Sequence, residues 1–490
     1  MRKEWWIAGV GLVAAAETLL LTRHGPAVAP DTIDYISGAM GILQGRGYTD
    51  ISSGAPITLW PPLFSMTLAG LSALGLPMLE AARYWNAAAF GALAATAAWL
   101  VRRQTQSAGL AAAGCFLVLT SVPLIGGAAA ALAEAAFCLL VVLALVALCR
   151  SLETGTTRSA AVLGATCGLA AFQRYAGVFL FPGCVALLAV APDGRSRTAR
   201  VRQIAVFLAV ALLPNAIWWL RNLSLEGALS GARRASARGL SEILTQLVNV
   251  FSRWLLPEQT PFGLRAAVLA AVVAAVGIAL FRILRERDEE TRRRLTVWCA
   301  LGLTVSYVGC LAAVDARAEL PRTGDRYLAP VTVFLLLLVL TAAERWLGRW
   351  RWLAPALAAW CLFPAARYAR AAHAMWRDAA NPVTVNFNTA GWQRSASLDW
   401  LRRQPAGAAV YSNAYDAIWF HTGIQAQVLP VAAEPTDACP VDRDCYVVWY
   451  HLGGWRSHGE EFPRVAARLE MREIQRFPDA TVYSFSARRP

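Results

Sequence analysis

Long apolar blocks separated by short basic stretches dominate this 490-residue chain. A helix of about 18–22 apolar residues crosses about 30 Å of hydrocarbon. About eleven such blocks are legible, at 5–22, 82–101, 107–123, 126–149, 158–173, 175–192, 203–221, 263–284, 293–314, 327–343 and 352–369. The first follows Arg2 and Lys3 and lacks a small-residue cleavage site, so it reads as a retained signal-anchor helix. The stretch 61–77 is apolar but short and broken by prolines, which predicts a helix lying at the membrane surface or half-inserted. Beyond 369 the pattern changes. Alternating stretches at 408–412 (AAVYS) and 445–450 (CYVVWY), punctuated by Pro, Gly and Asp, predict a small mixed α/β domain. The expected fold is therefore a polytopic α-helical membrane protein, with a transmembrane domain over 1–369 and a C-terminal domain over 370–490.

Composition supports the class: 57% of residues are hydrophobic and 16% charged, against about 25% charged in soluble domains. The net charge of +14 is spread over the loops, which argues against a nucleic-acid surface. With the N-terminus inside, successive inner loops hold Arg102 and Arg103; Arg150 and Arg158; Arg195, Arg197, Arg200 and Arg202; Arg282, Arg285, Arg287 and Arg292 to Arg294; and Arg345, Arg349 and Arg351. Every inner loop is basic, as the positive-inside rule requires. This parity places 23–81, 222–262, 315–326 and 370–490 outside. Eight of the ten cysteines lie in apolar blocks; Cys439 and Cys445 flank a polar loop in the tail. A metal site would want more Cys or His at closer spacing, so a local disulfide in an oxidising compartment is the favoured reading of that pair.

The first outer loop carries the most chemistry. In Pro30-Asp31-Thr32-Ile33-Asp34-Tyr35 and the residues that follow, Ile33, Ile36, Met40 and Leu43 recur at helical steps, and Gly45 and Gly47 mark the end. Asp31 is expected at the N-cap and Asp34 at N3, where carboxylates offset the helix dipole. A carboxylate fixed there also suits a general base. The pattern P-D-x-x-x-Y-x-x-x-A-x-x-(I/L)-L-x-G after the first span resembles the GT-C superfamily of glycosyltransferases. The nearest branch contains the protein O-mannosyltransferases and lipid A aminoarabinose transferases. Thr58-Leu59-Trp60-Pro61-Pro62-Leu63 is similar to the proline-containing stretch that follows in bacterial relatives. The family often has Asp-Glu where this chain has Asp31-Thr32, so Asp31 is the matching acid and Asp34 its alternative.

Three further stretches continue the resemblance. Gln173-Arg174-Tyr175-Ala176-Gly177 is similar to a turn that contacts the lipid phosphate, and Asp325-Arg326-Tyr327-Leu328-Ala329-Pro330 to an Arg-Tyr-Leu-x-Pro stretch. Glu134, near the outer end of the fourth span, is an intramembrane carboxylate that needs an arginine partner. Pro214 to Asn222 resembles a Pro-x-x-x-Trp-x-x-Arg-Asn stretch, although Trp218 and Trp219 fit an interfacial aromatic belt equally. A snorkelling Arg174 and an Asp325 that merely caps its helix are the structural alternatives.

The resemblance implies an inverting glycosyltransferase of hexosyl or pentosyl type. It would move a sugar from a polyprenyl-monophosphate donor to a protein, lipid or glycan acceptor on the outer face of a bacterial inner membrane. Asp31 or Asp34 would serve as base, and Arg174 and Arg326 would hold the phosphate. Glu134, Tyr35 and Tyr327 join the substrate-binding candidates. No cofactor is called for and no metal-ligand cluster is visible, although a divalent metal stays compatible. The competing readings are a multi-pass transporter or flippase, which would gather polar residues at the midplane, and a non-catalytic receptor or scaffold.

Overall fold

The computed structural model describes residues 4–486 except 52, 191–194, 232, 234, 287–290, 319, 321–323, 351, 406, 430–438, 440–443 and 452–460. The chain runs through α1 (Trp5–Leu21), α2 (Pro30–Leu43), α3 (Leu63–Ala73), α4 (Met78–Gln104), α5 (Ala108–Leu119), α6 (Val122–Ala128), α7 (Glu134–Thr154), α8 (Thr157–Gln173) and α9 (Phe181–Val190). It continues through α10 (Arg197–Glu226), α11 (Leu240–Leu255), α12 (Phe262–Arg285), α13 (Thr291–Asp315), α14 (Asp325–Leu328), α15 (Thr332–Arg349) and α16 (Leu353–Asp378).

Among the described residues, five helices are long and apolar enough to cross a membrane: α7, α10, α12, α13 and the continuous run Asp325–Arg349. Counting two bent pairs as one span each raises the number to seven. The chain is a membrane protein with several apolar helices; among the described residues Trp5–Leu21 and Tyr175–Val190 are further, shorter apolar helices. The stretch 61–77 forms α3, which meets α4 at 114°.

One expected span is redrawn. The block 126–149 is interrupted, because α6 ends at Ala128 and α7 begins only at Glu134. Between them the backbone leaves the helix and makes an isolated bridge to the first loop: Ala27 N donates to Ala129 O and Ala131 N to Ala27 O. Asn86, fully buried on α4, donates to the carbonyls of Ala130 and Leu132, and Gln173 donates to Ala133 O. Buried carbonyls outside a helix need such partners.

After α16 come two short helices, α17 (Ala390–Gln393) and α18 (Ala396–Leu401), and then a five-stranded sheet with α19 (Tyr415–Thr422) following its first strand. The strands are β1 (Ala409–Ser412), β2 (Ala426–Gln427), β3 (Cys445–Tyr450), β4 (Glu470–Arg476) and β5 (Ala480–Ser486), in the order β2-β1-β3-β5-β4. β1 runs parallel to β2 and β3; β5 is antiparallel to β3 and β4. A disulfide joins Cys439 to Cys445 across 5.8 Å between Cα atoms.

The first loop is held on two sides. Tyr35 and Ala39 pack with Phe64, Leu68, Ala82 and Leu132, so one face of α2 lies against α3, α4 and the non-helical stretch 129–133. Val28 and Ile33 belong instead to a core with Phe387, Trp392, Leu398, Ile418 and Val448 of the C-terminal domain. Backbone and side chain stitch the two together: Val28 N donates to Asn386 Oδ1 at 2.8 Å, Phe387 N to Val28 O at 2.7 Å and Asn388 Nδ2 to His24 O at 3.0 Å.

Candidate active site

Pro30 opens α2 at a position where a missing N–H costs nothing. The N-cap is Ala29, not Asp31 as the sequence suggested: the Thr32 hydroxyl accepts from Ala29 N, which leaves both acids free of capping duty. Asp31 lies in the first turn, where the helix dipole favours a negative charge.

Four residues from four distant segments meet here. Arg326, in the single turn of α14, gives its Nη2 to Asp31 Oδ2 at 2.5 Å and its Nε to Glu134 Oε1. Arg174 gives its Nη1 to the same Glu134 oxygen. Glu134 is the first residue of α7, and only 4% of it is exposed. The alternation of two arginines and two carboxylates is formally neutral. Burial on this scale is tolerable only because each charge faces an opposite one. Among the described residues Glu134 Oε2 and the Tyr35 hydroxyl are both buried without a hydrogen-bond partner, so the cluster keeps polar capacity in reserve.

Local backbone explains how Arg174 reaches it. α8 stops at Gln173, Arg174 is extended, and a tight turn over Tyr175–Leu180 folds back. A Cβ on Gly177 would come within 2.3 Å of Ala170 C and Ala171 N, so only glycine fits this return. The Gly177→Ala variant should lose about 1–3 kcal/mol by overpacking. It should also displace Arg174 from Glu134, so the expected result is a lower melting temperature, read by thermal unfolding.

Tyr175 shows what the sequence concealed. Its hydroxyl donates to Thr58 O at 2.6 Å and accepts from Trp218 Nε1 and Asn222 Nδ2. Arg221 donates to Ile57 O and Tyr48 O. The end of α10 thus holds the first loop in place, a role that an aromatic-belt reading of Trp218 misses.

Asp34 stands apart from the charge cluster. Its carboxylate accepts from Trp60 Nε1 at 2.7 Å. Burial, opposed by that bond and reinforced by Asp31 and Asp50, pushes it up to about 7. Asp416 of α19 is pushed up to about 8 by burial and then by Asp34, Asp50 and Asp31. Both folded values lie above the ordinary 3.8, so the stability these groups contribute is complete below about pH 4 and lost as pH rises through 7 to 8. The melting temperature should therefore fall between about pH 4 and 8, and Asp416→Asn should flatten that fall; equal slopes in wild type and variant would contradict the assignment.

Of the remaining candidates, Tyr35 is fully buried and meets Phe64 edge-on at 5.0 Å. Tyr327 adjoins Arg326, and its carbonyl accepts from Tyr307. Asp325 does not cap α14: the cap position is Gly324, and the Asp325 carboxylate accepts from Trp254 Nε1 at 2.9 Å and pairs with Arg367 at 3.5 Å. Among the described residues, no three His, Cys, Asp or Glu side chains are placed to share a metal ion.

No family model and no curated protein sequence matches the chain. Solved structures do. The ArnT protein of Cupriavidus metallidurans superposes with a TM-score of 0.53 at 15% identity, over 99% of this chain and 98% of its own. The same protein bound to undecaprenyl phosphate also gives 0.53, at 15% identity and 98% coverage of both chains. The Archaeoglobus fulgidus oligosaccharyltransferase, in complex with Zn and sulfate, gives 0.56 at 13% identity, over 97% of this chain and 73% of its own. The mycobacterial arabinofuranosyltransferase AftD (mutant R1389S, class 1) gives 0.51 at 15% identity, over 99% of this chain but 42% of that larger protein. At such identities the likeness is one of architecture, and the chain shares the GT-C fold of these solved structures.

Proposed function

We propose that this protein is an inverting glycosyltransferase that moves a sugar from a polyprenyl-monophosphate donor to an acceptor on the outer face of a bacterial inner membrane. In this reading the chain spans the membrane eleven times with its N-terminus in the cytoplasm, and residues 370–490 form an outer domain. Basic loops on the opposite side support that orientation, as does the Cys439–Cys445 disulfide, which needs an oxidising compartment.

The observation that carries the reading is the Arg174–Glu134–Arg326–Asp31 chain. Arginine forks suit a phosphate, and a carboxylate beside them suits proton removal. Asp31 binds Arg326 through Oδ2, while its Oδ1 carries no hydrogen bond among the described residues. The acceptor hydroxyl or amine delivers its proton to Oδ1 as its heteroatom bonds to the anomeric carbon. The bond from that carbon to the phosphate oxygen breaks, and the phosphate takes the electron pair. Asp31 loses its charge as the phosphate gains one. Arg326, released from an ion pair, then meets the new charge without any net change in the site. Asp34, bound to Trp60, is the alternative base.

Incubating purified protein with a radiolabelled polyprenyl-phosphate sugar and candidate acceptors tests the reading. Label should move to an acceptor and leave free polyprenyl phosphate. Lipid movement across a bilayer with no bond broken would replace it with transport.

A further inference from the structure

The end of the helical body remote from Asp31 contains a second charged site. A cleft of about 600 Å³ opens between α12, α13 and α15, lined by Arg282, Arg293, Arg345 and Arg349 with Glu344 and Trp346. Arg293 pairs with Glu344, and Arg345 with Glu286. Among the described residues neither Arg282 nor Arg349 pairs with a carboxylate; Arg282 instead lies over the Trp346 ring at 6.0 Å. Arginines at helix C-termini offset helix dipoles, but that role requires no cavity. Among the described residues four arginines and one glutamate line this open space.

Position identifies the occupant. Arg326 and Arg345 lie on the same continuous helical run, Asp325–Arg349. Their separation along its axis is about 30 Å at 1.5 Å per residue, close to one hydrocarbon thickness. Arg326 and the cleft therefore sit at opposite membrane–water boundaries, and Trp346 is of the type that settles there. Basic pockets between membrane helices at such a boundary accept anionic lipid headgroups.

We propose that this cleft binds the phosphate of an anionic phospholipid headgroup, in the leaflet opposite the Asp31 cluster. Under the orientation given above this is the cytoplasmic leaflet, yet binding itself does not depend on sugar transfer. The unpaired Arg282 and Arg349 hold the phosphate, and the acyl chains run along the apolar surface of α12.

Thermal unfolding of the full chain, reconstituted in phosphatidylcholine with and without phosphatidylglycerol, tests this directly. Phosphatidylglycerol should raise the wild-type midpoint. Arg282→Ala combined with Arg349→Ala should remove at least half of that rise while leaving the midpoint in phosphatidylcholine alone unchanged. A wild-type rise that persists in the double variant, or no rise at all, overturns the proposal. Inorganic phosphate is the control for source: if it alone reproduces the rise, the site is one for free anions and the lipid assignment fails.

Discussion

Asparagine in place of Asp31 should lower transfer by about 10²- to 10⁴-fold, the range that a positioned general base contributes. The substitution keeps an oxygen that accepts from Arg326, so the ion cluster loses a charge but not its geometry. Donor binding should survive or tighten, because removing one negative charge leaves the two arginines in excess over Glu134. The diagnostic pattern is a collapse of kcat with an unchanged or lower KM for the lipid donor. Asp34→Asn is the matched control. Its carboxylate is tied to Trp60 and makes no bond to either arginine of the cluster. Transfer in that variant should stay within a few-fold of wild type. The opposite pattern would move the base from Asp31 to Asp34.

The second large effect concerns Arg326. It is the one residue that touches both acids of the cluster, through two different nitrogens. Lysine preserves the charge but has no planar fork, so Arg326→Lys cannot reproduce both contacts and a phosphate contact together. Transfer should fall by about 10²- to 10³-fold, as when a preorganised donor to a developing anion is removed. Arg326→Ala adds a stability penalty, because Asp31 loses its partner and Glu134 keeps only Arg174. Breaking a buried pair by removing one member costs about 3–5 kcal/mol. Glu134→Gln in the Arg326→Ala background should recover part of that loss, since it removes a carboxylate that no longer has two arginines to satisfy. A double-mutant cycle on melting temperatures measures the coupling; additive effects would mean that the two side chains act independently.

The apolar blocks made most helices legible, and their ends less so. α4 extends beyond the block at 82–101 to include Glu80 at one end and Arg102 and Arg103 at the other, because long charged side chains can reach the boundary while their helix continues. The break at 129–133 gave no signal. Its alanines and leucine suit a span, and the groups that satisfy its carbonyls come from Asn86 and Gln173, both distant in sequence. The site shows the same division. Resemblance singled out Asp31, Glu134, Arg174 and Arg326 one at a time, and the structure brings all four together. Their pairing spans up to 295 residues of chain, beyond the reach of any local pattern. The cap at Ala29 was misplaced because Asp is a common N-cap and the Thr32 side chain, which does the work, lies inside the helix.

The double attachment of the first loop has a consequence for how this protein can be taken apart. Residues 24–28 are zipped to 386–388, and Ile33, two positions from Asp31, lies in a core shared with Ile418 and Val448. The tail is therefore not a detachable head that could be exchanged to alter acceptor choice. A chimera cut at residue 370 would strip one side of α2 of its packing and leave Val28 N without Asn386. Exchange between relatives should instead transfer 23–62 and 379–486 as one inherited unit, with the helices between them as the frame.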